Sequence, residues 1–326
     1  MNSNFDSCAS YTKSLLILLV IWGHVFSQIP ITYEHSALNL ALYDTIYCFH
    51  MPLFVFISGW FTKKNTFASG LKKNLRIIRI YILLQIVYTI VTNGGGKSLL
   101  YPYPSLWYLI ALFIYRSIID IIPQNILNKA IFVISISSIL SILIGCTIYA
   151  PLFEMMKIIS FLPYFILGFY AHKRYHFLNN VTNMNKYIAY SIFIIVFAFV
   201  YIYGHPLIAL THRNVPYQYM SMSIIEFIFI KIMICAITLL LAYSFIAFYK
   251  HNDFLEKEGR NTLLYYIYHF PIIQFVIAPF FYKYQIYPNT ISTLLITLFI
   301  FLFLKATVCK YPIFRTIIDP WSLLKH

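Results

Sequence analysis

The chain has 326 residues, of which 60% are hydrophobic and only 10% charged, and its mean hydropathy is +0.75. A soluble domain carries about 25% charged residues, so the composition excludes a globular protein with a watery surface. The net charge of +14 does not point to nucleic acid. Most of the Lys and Arg sit between apolar runs, with no zinc spacing, basic amphipathic arm or Gly-rich nucleotide loop beside them.

A helix needs about 20 apolar residues to cross roughly 30 Å of hydrocarbon. Ten stretches approach that length: 12–29, 41–61, 75–92, 105–122, 130–149, 152–170, 187–204, 223–249, 263–281 and 289–308. The expected fold is all-α, a polytopic transmembrane bundle of about ten spans. The first stretch lacks a basic start and a small-x-small cleavage site, so it reads as a retained span. The fifth and sixth meet at Ala150–Pro151, which predicts a tight helical hairpin.

Lys and Arg predict the orientation. With the N-terminus inside, 19 of the 24 fall on the inner side. Lys97, Arg213 and Lys283 remain outside, and Lys157 and Lys231 lie within spans. This is the asymmetry of the positive-inside rule. It predicts both termini in the cytoplasm and anionic membrane lipids against the inner loops. The longest outer loop, 205–222, is polar and aromatic but too short for a soluble module, and the glycine run Gly94–Gly95–Gly96 reads as a turn. Residues 1–326 are therefore expected to form one integral-membrane domain. The five cysteines show no CxxC and no metal-like spacing, so neither a disulfide framework nor a bound metal is expected.

Three histidines stand out because an ionisable ring inside a membrane segment marks a functional site by default. His24 ends KSLLILLVIWGH, eleven residues after Lys13. That is about three helical turns and about 16 Å, so both side chains project from nearly the same face. His50 lies in FHMPLFVFISGW, just before Pro52, which frees a carbonyl one turn earlier. His269 lies in RNTLLYYIYHFP, again followed closely by a proline, Pro271. His172 and His176, beside Lys173 and Arg174, read as solvated. Glu154, Lys157, Glu226 and Lys231 read as paired charges in or near spans.

The second inner feature is KKNLRIIRIY, with Lys72, Lys73, Arg76 and Arg79. On a helix Arg76 and Arg79 share a face. They can grip a phosphate bidentately or anchor the chain to lipid headgroups.

Together these pieces resemble the acyltransferase family 3 membrane proteins, which include bacterial surface-glycan O-acetyltransferases and fucose 4-O-acetylase-like proteins. Lys13 and His24 match the family's Arg/Lys, ten residues, His pattern, and Arg76 and Arg79 match its Arg-x-x-Arg. FHMPLFVFISGW, LWYLIALF and GRNTLLYYIYHF resemble three of its helices. Ser10 and Thr262 depart from the usual acidic residue and Ser, and none of residues 1–326 is expected to form the extra hydrolase-like domain of some members.

The resemblance implies a multi-pass protein of the bacterial cytoplasmic membrane. It implies transfer of an acyl group, usually acetyl, from acyl-CoA as donor substrate to a sugar hydroxyl of a surface glycan or its lipid-linked precursor. On that expectation His24 is the general base or, alternatively, an acyl-carrying nucleophile, with His50 and His269 as further catalytic residues. Lys13, Lys72, Lys73, Arg76 and Arg79 are the donor-binding residues. A transporter or flippase for a lipid-linked saccharide would also need a polar, aromatic path, but it predicts internal repeats. No convincing repeat is found.

Overall fold

The structure is a computed structural model that describes residues 3–29, 37–92, 101–146, 154–171, 185–213 and 222–318, with backbone alone for 3–5, 37, 204–213, 315 and 317–318. Among the described residues every regular element is helical, and none is a strand. In chain order the helices are α1 (Ser3–Gln28), α2 (Ala37–Trp60), α3 (Phe67–Val91), α4 (Trp107–Ile121), α5 (Gln124–Leu127), α6 (Ala130–Leu143) and α7 (Met155–Ala171). They continue with α8 (Lys186–Arg213), α9 (Ile224–Ile246), α10 (Asp253–Arg260), α11 (Thr262–Lys283), α12 (Thr290–Ala306) and α13 (Pro312–Ile318). Each of the ten predicted stretches is a helix over most of its length. Lipid offers the backbone no hydrogen bonds, and a helix satisfies its own.

Six of them, α1, α2, α3, α8, α9 and α11, are long and apolar enough to cross a membrane. Residues 130–146, 155–171 and 290–306 are shorter apolar helices. α4 has 15 residues, roughly 22 Å at 1.5 Å per residue. Several boundaries move outward from the prediction, with α1 starting at Ser3 and α2 at Ala37. α3 starts at Phe67, so the basic segment is helical throughout, and α8 continues to Arg213. The Gly94–Gly96 turn, the Ala150–Pro151 corner, His172, His176 and residues 214–221 of the 205–222 loop lie outside the described residues.

The chain divides into two compact units: Met1–Phe54 with His176–Thr211 and Ile234–His326, and Val55–Tyr175 with His212–Met233. In the first, α1 packs against α10, α11 and α12. Its apolar window is 67% buried, whereas that of α8 is 17% buried. α1 is therefore a core element, and α8 offers Ile188, Ile194, Ile195 and Ile202 outward, as a lipid-facing helix does.

Specific contacts pin α1. Trp22 Nε1 donates to Thr293 Oγ1 at 3.1 Å. A Cβ on Gly259 would collide with the Ser10 carbonyl, so only glycine lets α10 cross α1 that closely. α10 has a complete set of end signals. Asn252 caps it by accepting from the Leu255 N–H at 3.0 Å, with Asp253 and Glu256 in the first turn and Lys257 and Arg260 in the last.

In the second unit α3 packs on α4, and α6 and α7 lie along each other, as the hairpin reading of the fifth and sixth stretches requires. Gly59 meets the Phe165 carbonyl and Gly168 meets the Phe56 carbonyl. This reciprocal pair of small residues brings the end of α2 and α7 into backbone contact, as small residues do between membrane helices. Tyr115 Oη donates to the Ile158 carbonyl at 2.6 Å, joining α4 to α7.

Candidate active site

The packing of α1 on α11 brings two of the three predicted histidines together. The His24 and His269 rings lie 5.2 Å apart between centroids, tilted by 43°. Phe270 closes on His24 edge-on at 5.0 Å. His269 is fully buried and His24 half-buried. His50, also buried, lies on α2 in the same unit, with Tyr47 edge-on to its ring at 4.6 Å.

Both buried histidines hold one tautomer for the same reason. His50 Nδ1 is 2.8 Å from the Ile46 carbonyl, and His269 Nδ1 is 3.0 Å from the Tyr265 carbonyl. A carbonyl oxygen only accepts, so Nδ1 carries the proton in each ring. The neutral imidazole then presents Nε2 as a bare acceptor. In His269 that Nε2 is buried and has no hydrogen-bond partner among the described residues. An unsatisfied buried polar atom costs about 1–3 kcal/mol. That atom retains the capacity to accept from a donor such as a hydroxyl.

Prolines shape the two histidine helices. Pro52 cannot donate to the Cys48 carbonyl, and Thr238 Oγ1 of α9 takes that role at 2.8 Å. Beyond Pro271, α11 widens into a π turn over Ile273–Ile277 before it resumes, a distortion common at functional sites.

Lys13 is half-buried on α1, within electrostatic range of Arg260 at the end of α10 and of Asp6. Two carboxylates stand on the same short helix. Glu258 is buried and accepts from Tyr265 Oη at 2.6 Å. Glu256 is buried against the start of α1. Burial by itself raises the Glu256 carboxyl, but hydrogen bonds from Ser7, His251 and the Asn252 N–H outweigh it and hold it below the usual carboxylate range. The acidic residue missing at Ser10 thus has acidic neighbours supplied by α10.

In the second unit Lys72, Lys73, Arg76 and Arg79 are all exposed on the first turns of α3. The spacing 72, 76, 79 puts three of them on one face. What holds that end of α3 is Asp120, a buried carboxylate at the end of α4. It accepts from the Asn65 N–H at 2.7 Å and from Asn65 and Asn74 Nδ2 at 3.4 Å, while Gly70 leaves room for it. Lys73 Nζ donates to Asn65 Oδ1 at 2.6 Å, which fixes the position of its ammonium.

These features meet a direct comparison with known families. Residues 7–310 match the family model of an acyltransferase domain, Acyl_transf_3. The chain belongs to acyltransferase family 3. No curated protein and no solved structure matches it. The protein is thus a multi-pass membrane acyltransferase.

Several residues of this acyltransferase escaped the sequence reading. Asp120 and Asp44 are buried carboxyls, on α4 and α2. Asp44 lies inside a predicted span and carried the same signal as the histidines. Asp120 had only its place near the end of a span. The expected charge pairs divide. Lys157 bonds Glu154 at 3.1 Å. Glu226 instead accepts from the Ser223 N–H at the start of α9, and Lys231 stands over the Phe227 ring at 5.6 Å.

Proposed function

We propose that this acyltransferase moves an acetyl group from acetyl-CoA to a sugar hydroxyl of a cell-surface polysaccharide or its lipid-linked precursor. The observation that carries the reading is the His24–His269 pair, with the buried Nε2 of His269 unpartnered among the described residues, in an apolar interior. A sugar hydroxyl is a weak nucleophile at neutral pH and needs a base within hydrogen-bond reach. Neutral imidazole is matched to that task.

In this reading His24, the accessible member, takes the hydroxyl proton as the oxygen attacks the thioester carbon. The new C–O bond forms, the carbonyl electron pair moves onto oxygen, and the tetrahedral centre collapses with loss of the C–S bond. The proton on His24 passes to the departing CoA thiolate. His269 and His50 orient the acceptor or steady the charge. The phosphates of the donor are held by Arg76 and Arg79, helped by Lys72 and Lys73.

The same proposal places the protein in a bacterial cytoplasmic membrane as one domain of about ten spans with both termini inside. The distribution of Lys and Arg supports that orientation. Two measurements test the function. Purified wild-type protein given acetyl-labelled CoA should release free CoA only when a saccharide acceptor is present. Mass spectrometry of surface polysaccharides should show acetyl groups that vanish when the protein is removed. Polysaccharides identical with and without it would sink the proposal.

A further inference from the structure

α4 is apolar over most of its length, WYLIALFIYRSIIDI, yet it carries a permanent cation at Arg116. An arginine inside a membrane segment pairs with a counter-ion or marks the path of a polar ligand. Arg116 is half-buried, and among the described residues its guanidinium makes no hydrogen bond and no ion pair. The two ionisable groups within electrostatic range of it, Tyr108 and Asp120, are both engaged elsewhere. Tyr108 Oη is bonded to Ser58 Oγ of α2 at 2.5 Å. Asp120 commits its oxygens to the Asn65 N–H and to the side-chain amides of Asn65 and Asn74. The planar fork of N–H donors on Arg116 is thus left for a ligand.

Its place in the second unit narrows what that ligand is. Asp120 sits against the head of α3, where Gly70 leaves it room. Arg116 stands one turn earlier on the same side of α4, about 6 Å further into the bundle. Beyond it lies the Tyr108–Ser58 pair, so polar groups continue along one side of an otherwise apolar helix. At the same corner Lys64 Nζ donates to the Ile122 carbonyl and Lys73 Nζ to Asn65 Oδ1. Among the described residues, three cations and one carboxylate therefore gather where the head of α3 meets the end of α4. The surplus is positive, which suits an anion. A guanidinium fork matches phosphate oxygens two at a time, with more geometric selectivity than an ammonium.

We propose that Arg116 is a donor-binding residue of this acyltransferase, its guanidinium gripping the diphosphate that joins the nucleotide of the acyl-CoA to its pantetheine arm. The inference rests on the acyl-transfer reading. Arg76 and Arg79 are exposed and suit the solvent-facing nucleotide end, whereas Arg116 is partly withdrawn from solvent. A phosphate bound there has less water to compete with, so one contact counts for more than on the open face. The phosphate of an anionic membrane lipid has the same chemistry, and the choice between the two sources is open to experiment.

The test titrates acetyl-CoA against purified wild type, Arg116→Gln and Arg116→Lys, in detergent alone and in detergent with added phosphatidylglycerol. Arg116→Gln should weaken binding by at least about tenfold in both media. Arg116→Lys should recover only part of the loss, because the charge returns without the fork. The melting temperature of ligand-free Arg116→Gln should not fall, since the guanidinium holds no described residue in place. Affinities within twofold of wild type in both variants would overturn the assignment. A loss seen only when phosphatidylglycerol is present would also overturn it, by giving the site to a lipid. A lowered melting temperature together with weakened binding would overturn it as well, because Arg116 would then act through the fold. Wild type that binds no acetyl-CoA would sink the proposed function and this inference with it. Wild type that binds, beside an unaffected Arg116→Gln, would count against this inference alone.

Discussion

The histidine cluster of the first unit and the basic face of the second differ in how they hold their chemistry. His50 and His269 are buried, each has one ring proton committed to a carbonyl, and the acceptor left over depends on which tautomer burial enforces. Lys72, Lys73, Arg76 and Arg79 are exposed, and each adds a charge in solvent that neighbours share. A site built on one proton at one atom fails when a single residue changes. A site built on summed exposed charge loses strength by degrees. The comparison can be broken by substitutions on either side.

The largest effect is expected in the cluster. General acid–base catalysis contributes typically 10²–10⁴-fold, so His24→Ala should reduce acetyl transfer by at least about 100-fold with the protein level in the membrane unchanged. His269→Gln should follow it closely, because an amide donates and accepts but does not titrate. His50→Gln should retain more activity, since its ring is packed edge-on against Tyr47. Rates for the three variants, normalised to immunoblotted protein, check the order. Near-normal transfer by His24→Ala would remove the cluster from the mechanism.

On the basic face the response should be graded. Arg76→Lys and Arg79→Lys keep the charge but lose the planar fork. A charge-assisted contact is worth about 1.5–3 kcal/mol, so each variant should weaken acetyl-CoA binding about tenfold or more and leave kcat at saturation close to wild type. Titration of acetyl-CoA against purified protein measures this. Unchanged affinity in both would assign the face to lipid headgroups.

A smaller change is expected at the anchor of that face. Asp120→Asn keeps the shape of the carboxylate but weakens its bonds to Asn65 and Asn74. A loss of about 1–3 kcal/mol should appear as a lower melting temperature of the detergent-purified protein. An unchanged melting temperature would show that α3 is held without it.

The smallest effect is a pH dependence at the α1–α10 crossing. The Glu256 carboxyl is held below its ordinary value by bonds from Ser7, His251 and the Asn252 N–H, which together outweigh the opposing effect of burial. A depressed carboxyl stabilises the fold fully above the unfolded pKa, and the contribution is lost as pH falls through the folded one. Melting temperature should therefore decline more steeply on acidification below about pH 4.3 in wild type than in Glu256→Gln. Parallel curves would show that the carboxylate adds no acid sensitivity.

Much of this protein is determined by the linear sequence. Every predicted span is helical because a run of apolar residues in lipid has few other ways to satisfy its backbone, and that constraint is local. The three histidines were legible because a polar ring in an apolar run is conspicuous whatever it touches. The basic segment was legible because four cations within eight positions, 72 to 79, leave a mark on composition.

What only the tertiary structure decided are the pairings. The sequence separates His24 from His269 by most of the chain, and the packing of α1 on α11 makes them neighbours. Thr238 meets the carbonyl that Pro52 frees, and Asp120 secures the head of α3. The place of Tyr47 was hidden because one tyrosine of 29 carries no signal in sequence. That place, against Gly23, exists only once α1 and α2 have packed. Periodicity and composition report what each segment must do for itself. Side-chain pairing reports what segments do for one another, and the spacing along the chain does not encode it.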